Sequence, residues 1–148
     1  SDIKFEFSTF FLLHPSCFVQ GEAVSTLVGH TQCVSCVVWP QHETIYSASW
    51  DHSVRKWDVE TGKDLSDIFS SHSSWISDCK WHSWSSFHLL SSSYDGKVML
   101  WDLRTAFPLA IIDSHKNKVL CAGWWKGDCV VSGGAGAQLR ISSDISIH

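Results

Sequence analysis

The chain has 148 residues, 44% of them hydrophobic and 18% charged, with a formal charge of −4; that is room for one globular domain or a piece of a larger one. The aromatic content excludes a disordered tail. No Lys/Arg cluster is present that would bind nucleic acid by neutralising phosphates, so direct DNA binding is not expected. No apolar run approaches the length of a membrane-spanning helix, so no membrane role is expected.

Nine Trp, nine His and 25 Ser against three Pro indicate an all-β, aromatic-rich chain. In chain order, residues 1–21 come first and match no element. Lys4 and the run Phe10-Phe11-Leu12-Leu13 have the outline of a secretory signal, but Glu6 and His14-Pro15 interrupt the apolar stretch, which argues against one.

The six cysteines are Cys17, Cys33, Cys36, Cys79, Cys121 and Cys129. Cys33-x-x-Cys36 lacks a second ligand pair at zinc spacing. It falls in a predicted strand, where positions three apart point to opposite faces. Most of these cysteines sit among Val, Trp and Ala and are expected to be buried as small hydrophobes in a reducing, intracellular compartment. No metal or cofactor is implied.

From residue 22 onward the chain repeats. His30, His72 and His115 recur 42 and 43 residues apart, and each is followed nine residues later by Trp39, Trp81 or Trp124. Val34, Ile76 and Val119 stand four residues after each His. A second apolar run follows, ending in small residues: Ile45-Tyr46-Ser47-Ala48-Ser49, Leu89-Leu90-Ser91-Ser92-Ser93 and Val130-Val131-Ser132-Gly133-Gly134. Asp51 and Asp95 come next in the first two units, each leading six residues later into Trp57-Asp58 and Trp101-Asp102. A last apolar stretch, 65–69 and then 109–112, closes each of these units. The turn residues Asp-His-Ser and Asp-Gly-Lys separate short strands rich in Val, Ile and Leu. The predicted units are near 26–69, 70–112 and 113–143, each of four strands, and a period of this length ending in Trp-Asp is the signature of a β-propeller blade.

These motifs resemble the WD40 repeat family over residues 22–143. The resemblance rests on Leu27-Val28-Gly29-His30, Ser49-Trp50-Asp51, Ser93-Tyr94-Asp95 and the two Trp-Asp pairs, all in register. It implies a partial WD40 propeller: about three four-stranded blades of a ring that has about seven. It also implies a buried tetrad of His, strand Ser, turn Asp and strand Trp in each regular unit. In the first unit these are His30, Ser47, Asp51 and Trp57; in the second, His72, Ser91, Asp95 and Trp101. Ser49 or Ser93 could stand in for the strand Ser. Four polar groups buried together must satisfy one another, or each costs on the order of 1–3 kcal/mol. In the third unit Gly136 replaces the Asp and Ser142-Ser143 replaces Trp-Asp, so that blade is expected to be weaker.

Ser, His and Asp also make up a hydrolase set. Here they repeat once per unit at blade spacing, and no nucleophile elbow accompanies them. No catalytic residue is expected. Gly62-Lys63 lacks the upstream glycine of a phosphate loop.

The strings from Trp50 to Leu65, Ser71-His72-Ser73-Ser74-Trp75-Ile76, Tyr94 to Thr105 and Val130 to Ala135 are similar to WD-repeat subunits of the Pescadillo–Bop (PeBoW) ribosome-biogenesis complex, especially those of plants. The resemblance implies a non-enzymatic scaffold in large-subunit rRNA maturation and 60S assembly. It implies Pescadillo- and Bop-type partners, preribosomal particles, and a place in the nucleus, nucleolus and nucleoplasm. The ubiquitin-like domain of that family has no counterpart here. A whole repeat is expected to be missing between Phe69 and Ser70. Three blades cannot close a ring, so exposed edges and marginal stability are expected. Trp50 and Tyr94, at equivalent positions before the turn Asp, are candidate partner contacts, as are Trp75 and Trp84. Trp101-Asp102-Leu103-Arg104 resembles the box by which some WD-repeat proteins dock on a cullin-ligase adaptor, with Arg104 as the charged contact. The alternative function is therefore a substrate receptor for a cullin-type ubiquitin ligase.

Overall fold

The computed structural model describes residues 25–41, 44–65, 69–105, 107–143 and Ile145. The signal-like N-terminal run and Cys17 lie outside these residues. Among the described residues the chain runs through β1 (Val34–Gln41), β2 (Thr44–Ser49), β3 (Val54–Asp58), β4 (Ile76–Trp81), β5 (His88–Ser93), β6 (Lys97–Asp102), β7 (Pro108–Asp113), β8 (Val119–Trp125), β9 (Cys129–Gly134) and β10 (Gln138–Ser142). They form three antiparallel sheets, ordered β1-β2-β3, β4-β5-β6-β7 and β8-β9-β10. The fold is all-β, and each sheet is one repeat unit. Among the described residues no helix is long and apolar enough to cross a membrane.

The sheets stack as blades. β4 packs against β1 on one side and β8 on the other, so the first strand of each unit is innermost. The middle blade is covered on both faces. Leu89, Met99 and Trp101 meet Tyr46, Ala48, Val54 and Phe69 of the first blade, while Leu90, Val98 and Leu100 meet Val119, Ala122 and Val130 of the third. Alternation along a strand sends successive side chains to opposite faces, which is why β5 and β6 read as nearly continuous buried runs. Each such large side chain contributes about 1.5–3 kcal/mol when fully buried.

The joints also carry matched polar contacts. Ser35 Oγ donates to the Ile76 carbonyl (2.7 Å) between blades one and two, and Ser77 Oγ donates to the Val119 carbonyl (2.8 Å) between blades two and three. A β-bulge follows the first residue of each innermost strand, at Val34/Cys36, Ile76/Asp78 and Val119/Cys121.

All four strands of the middle blade are described; the last stretch of the first unit falls largely on residues outside the described ones. In the first, Phe69 makes an isolated bridge to Val54; in the third, three strands are described, and Ile145 tucks into the core against blade two. The expected burial of most cysteines is corrected: among the described ones only Cys79 is buried, Cys36 and Cys129 are half-buried, and Cys33 and Cys121 are exposed. Cys33 stands in the loop before β1 rather than in the strand. Cys121 is on the face of β8 turned away from blade two, which no described blade covers.

The tight turn joining the second and third strands recurs with one backbone shape. His52, Gly96 and Ala137 occupy its third position with φ of 72°, 85° and 57°. At Gly96 a Cβ would lie 2.4 Å from the His115 carbonyl, so this turn both needs left-handed backbone and touches the next blade.

A candidate interaction rim beside the buried tetrads

The strand Ser is the hub of each regular blade. Ser47 faces the interior from β2 and Ser91 from β5. Trp57 Nε1–H donates to Ser47 Oγ (2.7 Å), and Ser47 Oγ lies 2.7 Å from His30 Nε2, whose Nδ1 is 2.7 Å from Asp51 Oδ2. The second blade repeats the chain: Trp101 Nε1 to Ser91 Oγ, 2.8 Å; Ser91 Oγ to His72 Nε2, 2.8 Å; His72 Nδ1 to Asp95 Oδ2, 2.9 Å. An indole N–H can only donate and a carboxylate can only accept. The two ends are therefore fixed: Trp donates to Ser, and His donates from Nδ1 to Asp. All four members named for each unit are brought together.

Ser49 and Ser93 have a different task. Each accepts from the turn Asp N–H, at 3.1 and 3.2 Å, and donates to a carbonyl of the preceding loop, Gln32 and Ser74 respectively.

The Asp closes the turn as well as the chain. Asp51 takes N–H bonds from Thr31 and Ser53, and Asp95 takes them from Ser73 and Lys97. Burial by itself would raise Asp51, but hydrogen bonds from Ser53, His30 and Thr31 outweigh it and hold the carboxyl at about 2. Burial likewise opposes ionisation at Asp95, and His72 with the Lys97 and Ser73 N–H groups brings it to about 2. In the third blade only His115 Nε2 and Ser132 Oγ meet, at 3.0 Å. Gly136 holds the turn position of the missing Asp, and Ser142 pairs with Val130 where Trp101 pairs with Leu89. The His115 ring instead packs over Gly134, where a Cβ would come within 2.6 Å of its Nδ1.

These turns and the loops before each innermost strand make one rim. Trp50 stacks on Trp75 of the next blade, with centroids 4.4 Å apart and planes 2° from parallel. Trp75 leans on Tyr94 at 5.8 Å, and Lys118 Nζ sits 4.7 Å from the Tyr94 ring centre. A ladder of three aromatics and a cation thus crosses all three blades. Trp50 and Tyr94 are half-buried and Trp75 is 39% exposed. The rings pack between blades and also face solvent. Lys118 was not anticipated from the sequence, although it stands one residue before β8 as Trp75 stands before β4. Trp84 is apart from the ladder and 90% exposed.

Arg104 lies elsewhere. Its Nε and Nη2 donate to Asp102 at 2.9 and 2.7 Å, and its guanidinium stacks 4.7 Å from the Phe87 ring centre. Two donor positions that would engage an acidic partner are occupied within the chain. No group of three or more His, Cys, Asp or Glu placed to hold a metal is found among the described residues.

The model of the WD domain, G-beta repeat, matches residues 21–58 and 63–102. The chain belongs to the WD40 repeat family. The WD40 chain is 55% identical to "Ribosome biogenesis protein WDR12 homolog" of Arabidopsis thaliana, over 86% of its own length and 40% of the relative's. It is 52% identical to the Oryza sativa subsp. japonica protein of the same name, over 86% and 39%, and 32% identical to that of Nematostella vectensis, over 78% and 38%. It therefore spans about 40% of the length of the plant relatives. The Arabidopsis alignment runs over 172 positions yet draws on 86% of this chain, leaving roughly 45 positions without a counterpart here, about one WD40 repeat. The comparisons give no support to a ubiquitin-ligase receptor.

Proposed function

We propose that this WD40 chain is a non-enzymatic interaction scaffold in ribosome biogenesis, acting with Pescadillo- and Bop-type proteins on large-subunit precursors in the nucleolus. The observation that carries this reading is the 52–55% identity to two plant proteins named for ribosome biogenesis, extending over 86% of the chain. The geometry supports a scaffold. The Ser, His and Asp of the two tetrads are engaged in Trp-anchored hydrogen-bond chains, which commits each Ser hydroxyl to a structural role. What the surface offers instead is the Trp50–Trp75–Tyr94–Lys118 ladder, rigid aromatic area of the kind that anchors protein interfaces.

Affinity capture of the tagged chain from nuclear extract tests this. Pescadillo, Bop and large-subunit precursors are expected with the wild-type bait, and at least about tenfold less with Trp75→Ala. Arg104→Ala is expected to leave this recovery unchanged. Absence of all three from a soluble, folded wild-type bait would overturn the reading, and a cullin-ligase adaptor lost on Arg104→Ala would put the receptor function in its place.

A further inference from the structure

We propose that the third blade binds a carboxylate from outside the chain, an Asp or Glu side chain on an acidic segment of a partner protein, in the place that Asp51 and Asp95 hold in the first two blades. The carboxylate there has a fixed set of donors. Its Oδ2 accepts from the His ring and from the N–H of the next residue, Thr31 or Ser73. Its Oδ1 accepts from the N–H two residues past the Asp, that of Ser53 or Lys97. The third blade keeps the donor positions and lacks the acceptor. His115, Lys116 and Gln138 stand at the three donor positions, and Gly136 stands at the Asp. Gly134 likewise stands where Ser49 and Ser93 do, so neither position carries an acceptor side chain.

His115 is only 7% exposed. Its Nε2 meets Ser132, but its Nδ1 has no hydrogen-bond partner among the described residues. A buried ring nitrogen left in this way is the exception in folded proteins. His115 lines a cavity of about 220 Å³ with Lys116, Asn117, Gly136, Gln138 and Arg140. Two of these side chains are cations and none is an acid. Asn117 Nδ2 lies 3.2 Å from where a Cβ on Gly136 would be, which brings a further donor to the same place. The cavity lies within one blade, between its own turn and its own loop, and owes its existence to Gly136. A planar acceptor with two oxygens suits this set, because the two neighbouring blades already serve a carboxylate from the same three positions. The loop runs on to Lys118 beside Tyr94, so a bound acidic segment would continue onto the aromatic ladder. The site deepens the scaffold reading, on which its macromolecular occupant rests; binding in a purified titration holds or fails independently of the nuclear capture.

NMR of the His115 imidazole in the full chain tests the proposal, with the acidic pentapeptide Gly-Asp-Glu-Asp-Gly, blocked at both ends, as the probe. A saturable shift of the His115 signal is expected in the wild type. The neutral analogue with Asn and Gln is expected to bind about tenfold more weakly or worse, because charge-assisted hydrogen bonds are lost. Lys116→Ala, at an exposed side chain, is expected to weaken binding several-fold with unchanged circular dichroism. Gly136→Asp supplies the carboxylate within the chain. It is expected to move the His115 signal without peptide and to weaken the response to peptide about tenfold or more. If Gly136→Asp does not fold, the neutral analogue and Lys116→Ala still decide. A His115 signal that ignores the peptide in folded wild type, equal binding of the neutral analogue, or a folded Gly136→Asp that binds as wild type does would each overturn the proposal. Inorganic phosphate binding more tightly than the peptide would also overturn it, in favour of a phosphate site.

Discussion

Ser91 Oγ accepts from Trp101 and is hydrogen-bonded to His72 Nε2 in the buried interior of the blade. Ser91→Ala strands both partners, and each orphaned buried group costs about 1–3 kcal/mol. A loss of that order in urea unfolding is expected, whereas Ser49→Ala, at a turn rather than a hub, is expected to lose less. The carboxyls at the other end of the chains add a pH dependence. Asp51 and Asp95 sit at about 2 in the fold, below the ordinary unfolded value near ~3.9. Unfolded carboxyls bind protons first, so this stabilisation is whole above about pH 4 and drains away as pH falls toward 2. The urea midpoint measured from neutral to acid pH is expected to fall in that window, and Asp51→Asn with Asp95→Asn to flatten the slope. A slope unchanged in the double variant would show that other groups set the acid limit.

At the scale of the element, the recurrent turn gives opposite predictions at two equivalent places. Gly96 has φ of 85° and no room for a Cβ beside the His115 carbonyl. Gly96→Ala is expected to cost more than the ~1–2 kcal/mol of left-handed backbone strain alone, because it also pushes the third blade. Ala137 bears the same strain with φ of 57° and stands in an exposed turn. Ala137→Gly is expected to stabilise by up to about 1 kcal/mol, the relieved strain being partly offset by unfolded-chain entropy. Thermal unfolding of the two variants reads both signs. The turns were legible from Asp-His-Ser and Asp-Gly-Lys. Ala137 was not, because nothing in Ala-Gly-Ala singles out the residue that takes positive φ. Similarly, the hub Ser could not be told from Ser49 or Ser93 by spacing, since each lies two residues from its alternative. Both share one face of the strand; the position along it decides, Ser47 and Ser91 lying opposite the indole Nε1 while Ser49 and Ser93 bond the turn Asp N–H and the preceding loop.

For the whole molecule, stacking rather than any single blade is the source of order. Phe69 shows this: it is 1% exposed, bridges to Val54, and presents its ring at 5.5 Å to Trp101 of the next blade. The middle blade, covered on both faces, has the most complete core. The outer two each have one face that no described residue covers.

The sequence by itself determined the all-β architecture and the three-unit period, because strand alternation and turn residues recur at fixed spacing; which Ser serves as hub it left open. It also placed Trp50, Trp75 and Tyr94 on the list of surface candidates. Only the tertiary structure decided that they form one ladder with Lys118, that Arg104 is tied to Asp102, and that the cysteines of β1 and β8 are not core residues. Those outcomes depend on which blade covers which face, and burial across a joint is a property of two repeats that neither repeat's spacing contains.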